Sequence, residues 1–434
     1  MIVVFIIVDS LKAEIVGRPD GPAKIPTIDR LIEGGACFQN NYASGAWTIP
    51  SIISMLTGTL PHQVGVCRWR HPFPARRPTL LTAFAAAGFE VFSFVPYPRW
   101  GLLTVPGRGV VGDSQEPEAI AQAIRGRQGH DRFILIHYWW THLPYLNRKL
   151  TQPTWHKTCD FALESLKRHP KRFAAKLEET YLKSVSYFSE RWLPPLLEAA
   201  EAKGEKSLLV VTGDHGETWG RSWPAGRRVE HIYDLHGRWI SDETIKVPLI
   251  ICGQGAQGRI PARRCVEGFA GGVDLGPTLA DLAGIPWPGP APEDSGPSLV
   301  ERNEGDLDIT GQSMADSVMR GTPVPEHEVL TFSTQNTHTP RTYPGVGLEM
   351  WRTVALRTAQ AWHIWDGVAK EETVVSEGAL ISAGEEDGGP HFDRLEALRR
   401  RAVDSAPIVE VPVADDLREN EEIKAKLRSV GYLD

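Results

Sequence analysis

Hydrophobic positions along the chain fall into short continuous runs separated by amphipathic stretches. Ile2-Val-Val-Phe-Ile-Ile-Val8, Val91 to Val95, Phe133 to His137, Leu208 to Val211 and Val247 to Cys252 are short, mainly apolar runs of strand length. Ile25 to Glu33, Thr79 to Ala87, Glu116 to Arg125 and Leu275 to Ala283 instead repeat their apolar residues at helical spacing. Strands apolar on both faces, alternating with helices, predict an α/β chain: an α/β/α sandwich around a large, mostly parallel central sheet. The segment from about Lys171 to Lys203 is the longest helical candidate, and Pro194-Pro195 should split or kink it.

After Ile285 the pattern breaks into Pro286-Trp-Pro-Gly-Pro-Ala-Pro-Glu-Asp-Ser-Gly-Pro297, which cannot be regular structure and marks an expected domain edge. We therefore expect a catalytic part over residues 1–300 and a smaller C-terminal α+β part over 301–434. In the latter, Val329 to Phe332, Trp351 to Arg357 and Ala361 to Trp365 read as short strands, and Leu417 to Val430 as a terminal helix. The acidic, Gly-containing segment Ser376 to Pro390 reads as a flexible excursion.

Composition narrows the class. At 434 residues the chain can bury a sizeable core, and a formal charge of -7 gives no general attraction for nucleic acid or acidic membranes. The Arg399-Arg-Arg401 run reads as a solvated helix face. Five widely spaced cysteines without a CxxC pair suggest neither a disulfide framework nor a zinc knuckle, and so a reducing compartment. The apolar start is about seven residues long and runs straight into Asp9, like a buried first strand. A cytoplasmic chain without a membrane span is the expectation.

The candidate chemistry sits where apolar runs end. Asp9 follows the first run, and Thr212-Gly213-Asp214-His215-Gly216-Glu217 follows Ser207 to Val211. Parallel sheets gather ligands at the carboxyl ends of their strands, so these residues can converge despite their distance in sequence. Two carboxylates and an imidazole suit Mn²⁺, Zn²⁺, Mg²⁺ or Ca²⁺, the imidazole tilting the choice towards the first two. Each residue also has an ordinary reading, since Asp9 and Asp214 could cap the turns that follow them. Thr48, opening Thr48-Ile-Pro-Ser-Ile-Ile-Ser-Met-Leu-Thr-Gly58, could be an N-cap or a nucleophile facing the unpaired N–H groups of a helix start.

Several motifs then line up in one order: Ile6-Ile-Val-Asp-Ser-Leu-Lys-Ala-Glu14, Ile25-Pro-Thr-Ile-Asp-Arg-Leu31, Phe38-Gln-Asn-Asn-Tyr-Ala-Ser44, and Trp47-Thr-Ile-Pro-Ser51 with Leu56-Thr-Gly58 and Pro61-His62. His137-Tyr-Trp-Trp-Thr-His-Leu-Pro-Tyr145, Gly213-Asp-His-Gly-Glu217, His236-Gly237, Val247-Pro-Leu-Ile250 and Val273-Asp-Leu-Gly-Pro-Thr-Leu279 follow. In this order they resemble the sulfatase branch of the alkaline phosphatase superfamily. The resemblance implies an alkaline phosphatase-like fold, with Asp9, Asp214 and His215 as metal ligands and Thr48 as nucleophile and metal-bridging ligand. It implies His142 and His236 as contacts to the anion or leaving group, either of which could be the proton donor. It departs from sulfatases proper at residue 48, where Thr48-Ile-Pro-Ser-Ile52 has neither the modifiable Cys or Ser nor the following arginine, so formylglycine is excluded there. Ser10 also stands where many sulfatases carry a second metal aspartate, which favours one transition-metal ion.

The function expected is thus a metal-dependent hydrolase of a small-molecule or glycan-linked sulfate or phosphate ester, acting by in-line attack of Thr48. A homo-oligomer is left open. Two alternatives stand beside it: transfer of a phospho-group to a glycan or lipid acceptor, and a binding protein with a degenerate site. Trp47, Trp69, Trp100 and Trp139-Trp140 could line a substrate pocket, although core packing is the plainer account.

Overall fold

The computed structural model describes residues 1–17, 21–64, 78–95, 110–112, 115–126, 129–145, 152–202, 206–219, 235–237, 240–288, 311–325, 329–333, 353–357, 362–366, 371–376 and 379–385, with 395, 397 and 400. Among these residues a nine-stranded sheet forms from β1 (Ile2–Val8), β2 (Gly35–Tyr42), β3 (Glu90–Phe94), β4 (Val110–Gly112), β5 (Arg132–Tyr138), β6 (Ser207–Gly213), β7 (Leu249–Gly255), β8 (Gly258–Arg259) and β9 (Arg264–Gly271). The strand order is β4-β3-β5-β1-β6-β7-β2-β9, with β8 paired to β7. Strands β4, β3, β5, β1 and β6 run parallel, whereas β7 runs antiparallel to both β6 and β2. The fold is the expected α/β/α sandwich, mixed at one side of the sheet.

Strand β1 is central because all seven of its residues are buried and apolar, which only a strand covered on both faces can accommodate. Its alternation sorts the core into two layers. Ile2, Val4, Ile6 and Val8 pack with α1 (Pro26–Gly34), α5 (Pro117–Arg125), α6 (Gln152–Arg168), α7 (Pro170–Tyr187) and α8 (Pro194–Glu201). Val3, Phe5 and Ile7 pack on the other face, with α2 (Thr48–Thr57), α4 (Leu80–Ala86), α10 (Leu275–Ala283) and α11 (Ala315–Arg320). Two four-residue helices, α3 (Pro61–Val64) and α9 (Asp242–Ile245), complete this set. The expected long helix is split as its prolines require: α7 ends in a π-type turn over Phe188–Trp192 and α8 starts at Pro194.

A second, antiparallel sheet runs β10 (Val329–Ser333), β11 (Thr353–Arg357), β12 (Trp362–Asp366), β13 (Glu371–Ser376) and β14 (Ala379–Glu385), in that order. The last strand corrects one expectation, since the Ser376 to Pro390 segment is not simply an excursion: Ala379–Glu385 pairs with β13. A bulge between Val374 and Val375 breaks the alternation that would have signalled the pair. The second sheet meets the segment between β2 and α2, beside the candidate site, where Ala46 N–H donates to Phe332 O (3.3 Å) and Thr331 Oγ1 to Ala43 O (2.7 Å). The helix expected over 417–430 lies outside the described residues, and Arg400 is helical and exposed as its run suggested. Among the described residues no helix is long and apolar enough to cross a membrane.

Candidate active site

Register places the site. Val8 pairs with Tyr138 on β5 and with Gly213 on β6, so Asp9 and Asp214 emerge side by side at the carboxyl ends of adjacent parallel strands. The ladder carries on one residue further, Asp9 N–H donating to Tyr138 O (2.8 Å), so strand alternation still governs Asp9. Asp9 continues the series Val3, Phe5, Ile7, and Asp214 the series Leu208, Val210, Thr212. That is the face covered by α2, the helix that starts at Thr48.

Asp9, Asp214 and His215 form one buried group whose ligand atoms lie within 4.8 Å of one another, the one such group found among the described residues. His215 Nε2 lies 3.5 Å from Asp214 Oδ2 and 3.9 Å from Asp9 Oδ1. His215 Nδ1–H donates to Gly216 O (2.7 Å), which leaves Nε2 as the nitrogen with a lone pair. The capping alternative for Asp214 coexists with this arrangement: Oδ1 accepts the backbone N–H groups of His215 (2.8 Å) and Ser10 (3.0 Å) while Oδ2 faces the imidazole. Asp9 Oδ1 accepts Ser10 Oγ–H (2.9 Å). Ser10 holds a left-handed backbone, φ 57°, in which its carbonyl accepts Tyr181 Oη–H (2.8 Å). The flanking glycines are steric requirements, because a Cβ at Gly213 would sit 2.5 Å from Leu11 O and one at Gly216 2.0 Å from Glu243 O.

Thr48 is 4% exposed and is not a cap. Trp47 occupies the N-cap position of α2 with no side-chain bond, and Thr48 Oγ1 instead lies 3.2 Å from His215 Nε2. Ser51 on the same helix donates Oγ–H to Asp214 O (2.5 Å), which ties α2 to the end of β6. The two other predicted histidines arrive next to this group: His236 stacks on His215 with ring centroids 4.5 Å apart, and His142 meets His236 edge-on at 5.4 Å. All six predicted site residues are therefore gathered in one place.

Two functional-looking residues escaped the sequence reading. Glu217, fully buried, accepts His236 Nδ1–H at Oε1 (3.1 Å) and Tyr145 Oη–H at Oε2, and Trp219 Nε1–H donates to Tyr145 Oη (2.9 Å). Burial, then the Glu217 charge, holds the Tyr145 phenol well above its usual range, so it stays a donor. His137, 1% exposed on β5, places Nε2 3.4 Å from Asp9 Oδ2 and 3.4 Å from Asp214 Oδ2. Burial alone would lower its pKa, but the two carboxylates win and push it up to about 9. For Asp9, burial acts upwards and is overcome by the charges of His142, His137 and His215, which hold it below the ordinary carboxylate range. The signal for His137 was its place in the series Phe133, Leu135, His137, a polar residue on an otherwise apolar strand face.

The aromatic candidates divide. Trp47 and Trp140 are buried, the latter packed against Tyr138 and Tyr187 in the core, and Trp69 and Trp100 lie outside the described residues.

The Sulfatase family model matches residues 2–102 and 116–285, more than half of the chain. The chain belongs to the Sulfatase family. The class of reaction of that family is ester hydrolysis. The chain is also similar to the low-salt glycan biosynthesis sulfotransferase Agl7 of Haloferax volcanii, 27% identical over 253 residues, or 56% of this chain. That match spans 54% of the relative's length, about half. Among solved structures, a 2-O GAG sulfatase superposes with a TM-score of 0.62 at 16% identity, covering 96% of this chain and 93% of the other. The phosphonate monoester hydrolase of Silicibacter pomeroyi gives 0.58 at 17%, covering 92% and 94%. At such identities these two superpositions speak for the alkaline phosphatase-like fold.

Proposed function

We propose that this chain hydrolyses a sulfate or phosphate ester with Thr48 as nucleophile, at a centre where Asp9, Asp214 and His215 hold one divalent ion. The observation that carries the proposal is the Thr48 hydroxyl, which ignores its own helix and points at the metal-ligating end of His215, 3.2 Å away. The residues suit an ion: Asp9 Oδ2 and Asp214 Oδ2 are fully buried without an aligned hydrogen bond, and two such carboxylates are costly unless a cation offsets them. Mn²⁺ or Zn²⁺ fits the imidazole-containing set best, with Mg²⁺ or Ca²⁺ as lesser candidates. A bound divalent ion supplies positive charge that polarises the ester and lowers the pKa of a neighbouring hydroxyl.

The chain's own residues do the rest. Thr48 Oγ1, its proton lost to solvent because its pKa would be lowered beside the ion, forms the new bond to sulfur or phosphorus as the bond to the departing oxygen breaks in line with it. Position 48 being Thr, this occurs without formylglycine. Both His142 and His236 would hold the anion, but their Nδ1 atoms differ in a way that favours His236 as proton donor. The Nδ1–H of His142 donates to a carbonyl, Leu143 O (2.6 Å), whereas that of His236 donates to the Glu217 carboxylate, the carboxylate-oriented arrangement of a general acid–base histidine. Water then gives a proton to His236 and attacks the sulfur or phosphorus, and the bond to Thr48 Oγ1 breaks, releasing sulfate or phosphate and restoring the hydroxyl.

The relative's name, a glycan biosynthesis sulfotransferase, favours a second reading in which an acceptor hydroxyl replaces water. It also favours a glycan-linked ester as substrate, in keeping with the GAG sulfatase among the structural relatives. The division into a catalytic part, 1–300, and a C-terminal part from 301 onwards belongs to the same proposal.

The test is to purify the chain, measure bound metal, and assay aryl sulfate, aryl phosphate monoester and bis-aryl phosphate with Mn²⁺ or Zn²⁺ beside Asp214→Ala. Metal lost in the variant together with turnover of one ester class supports the reading, and an added polyol separates transfer from hydrolysis. A folded wild-type chain with neither metal nor turnover would instead indicate a degenerate binding protein.

A further inference from the structure

The geometry points to His137 as a fourth protein ligand of the metal centre. This rests on the metal reading above and deepens it. The sheet supplies the argument. Strand alternation puts His137 on the same face as Asp9 and Asp214, and the register sets it opposite Ile7, two residues before Asp9 on the neighbouring strand. The side chain therefore rises between the two carboxylates from below.

Three separations describe what it meets there: Nε2 to Asp9 Oδ2, 3.4 Å; Nε2 to Asp214 Oδ2, 3.4 Å; and His215 Nε2 to the same Asp214 oxygen, 3.5 Å. Ligands about 2.0–2.2 Å from one ion sit about 3.3–3.6 Å apart when tetrahedral and about 3 Å when octahedral neighbours. His137 Nε2 thus stands at coordination spacing from one oxygen of each carboxylate; it lies outside the 4.8 Å group of Asp9, Asp214 and His215, so its ring would have to close on His215 as an ion binds. The two oxygens involved are also the two that make no aligned hydrogen bond, while the other oxygen of each carboxylate is occupied by Ser10 or by backbone N–H groups.

Four protein donors also bear on the ion. Leaving room for Thr48 and an ester oxygen requires five or six coordination, which Mn²⁺ accepts more readily than Zn²⁺.

Copper(II) loaded into the chain reports the number of coordinated nitrogens directly through the superhyperfine splitting of its EPR spectrum. We expect two nitrogens in wild type and one in each of His137→Ala and His215→Ala, with Mn²⁺ affinity by calorimetry at least tenfold weaker in His137→Ala and in the better-packing His137→Gln. A single nitrogen in wild type, or two nitrogens retained in a folded His137 variant, would overturn the assignment while leaving the three-residue centre standing. The wild-type spectrum settles the count even if the variants fail to fold. Loss of all binding in Asp214→Ala confirms that the probe reports this site. A folded wild-type chain that binds neither Cu²⁺ nor Mn²⁺ would remove both the fourth ligand and the metal reading beneath it.

Discussion

Replacing Thr48 by valine separates the two roles its position could serve. Valine keeps the branched shape and exchanges the hydroxyl for a methyl, so packing at a residue only 4% exposed is nearly preserved. In stability terms the change removes one hydrogen bond, the 3.2 Å contact with His215 Nε2, worth about 0.5–1.5 kcal/mol. The helix does not lose a cap, because the Thr48 side chain does not cap it. A loss of that size lowers Tm by about 1–2 °C at most. In catalytic terms, deleting a nucleophile typically costs about 10⁴–10⁶ in kcat, or about 5–8 kcal/mol of barrier. The two effects therefore differ enough to be read apart. Turnover of the preferred aryl ester, Tm and metal content would be measured on wild type, Thr48→Val and Thr48→Ser. Intact mass after acid quench would be used to look for a sulfated or phosphorylated Thr48 in wild type. The expected pattern is a folded, metal-loaded and inactive valine variant, with activity in the serine variant within about 100-fold of wild type. A valine variant that is folded and metal-loaded and turns over within tenfold of wild type would refute the nucleophile and leave direct attack by water.

The remaining expectations test the surroundings of that hydroxyl. Glu217→Gln removes the charge beneath His236 Nδ1 and should lower kcat about tenfold or more for alkyl esters but little for nitrophenyl esters, which need no proton; equal losses across leaving groups would clear His236 of the acid role. Metal at 100 times its Kd should stabilise the chain by about 2.7 kcal/mol, a rise of roughly 3 °C in Tm that a chelator reverses and Asp214→Ala abolishes; identical melting with and without ion would argue against the cluster as its site. Burial pushes the Cys252 thiol up to about 12 and the Cys37 thiol up to about 11. Raised pKa values give stability that is complete below the unfolded thiol value of 9.0 and is lost as pH climbs towards 11 and 12. Thiol reagents should accordingly label exposed Cys265 first and reach Cys37 and Cys252 only on unfolding, and fast labelling of Cys252 in the folded chain would contradict its place in β7.

What could be read from the sequence was whatever one strand or helix reveals by itself. β1 and β6 announce themselves because each is an apolar run closed by an aspartate, and α1, α5 and α10 because their apolar spacing is helical. The strands that went unseen depend on partners. β2 carries Gln39, Asn40 and Asn41, and is a strand because β7 and β9 hold it on either side, with a register shift between Phe38 and Asn40. β14 follows an irregular pairing inside an acidic stretch that has loop composition. Tertiary pairing overrode local pattern in both cases.

The site divides along the same line. Asp9, Asp214 and His215 stand at strand ends where a run stops, so each is conspicuous in one segment. His137 and Glu217 matter only through residues from other segments: His137 through Asp9 and Asp214, and Glu217 through Tyr145 and His236. The arrangement also explains why the helix carrying Thr48 must be docked precisely on the sheet. Ser51 Oγ–H binds the carbonyl of Asp214, and the carboxylate of Asp214 in turn accepts the amides of Ser10 and His215. One residue thereby fixes the helix that carries Thr48, the left-handed turn after Asp9 and the imidazole that Thr48 faces. A change at Asp214 should consequently disturb Thr48 and the proposed metal ligands together, whereas one at Thr48 would remove the proposed attacking group and leave the scaffold in place. Comparing those two variants tells the chemistry of the hydroxyl apart from the architecture that presents it.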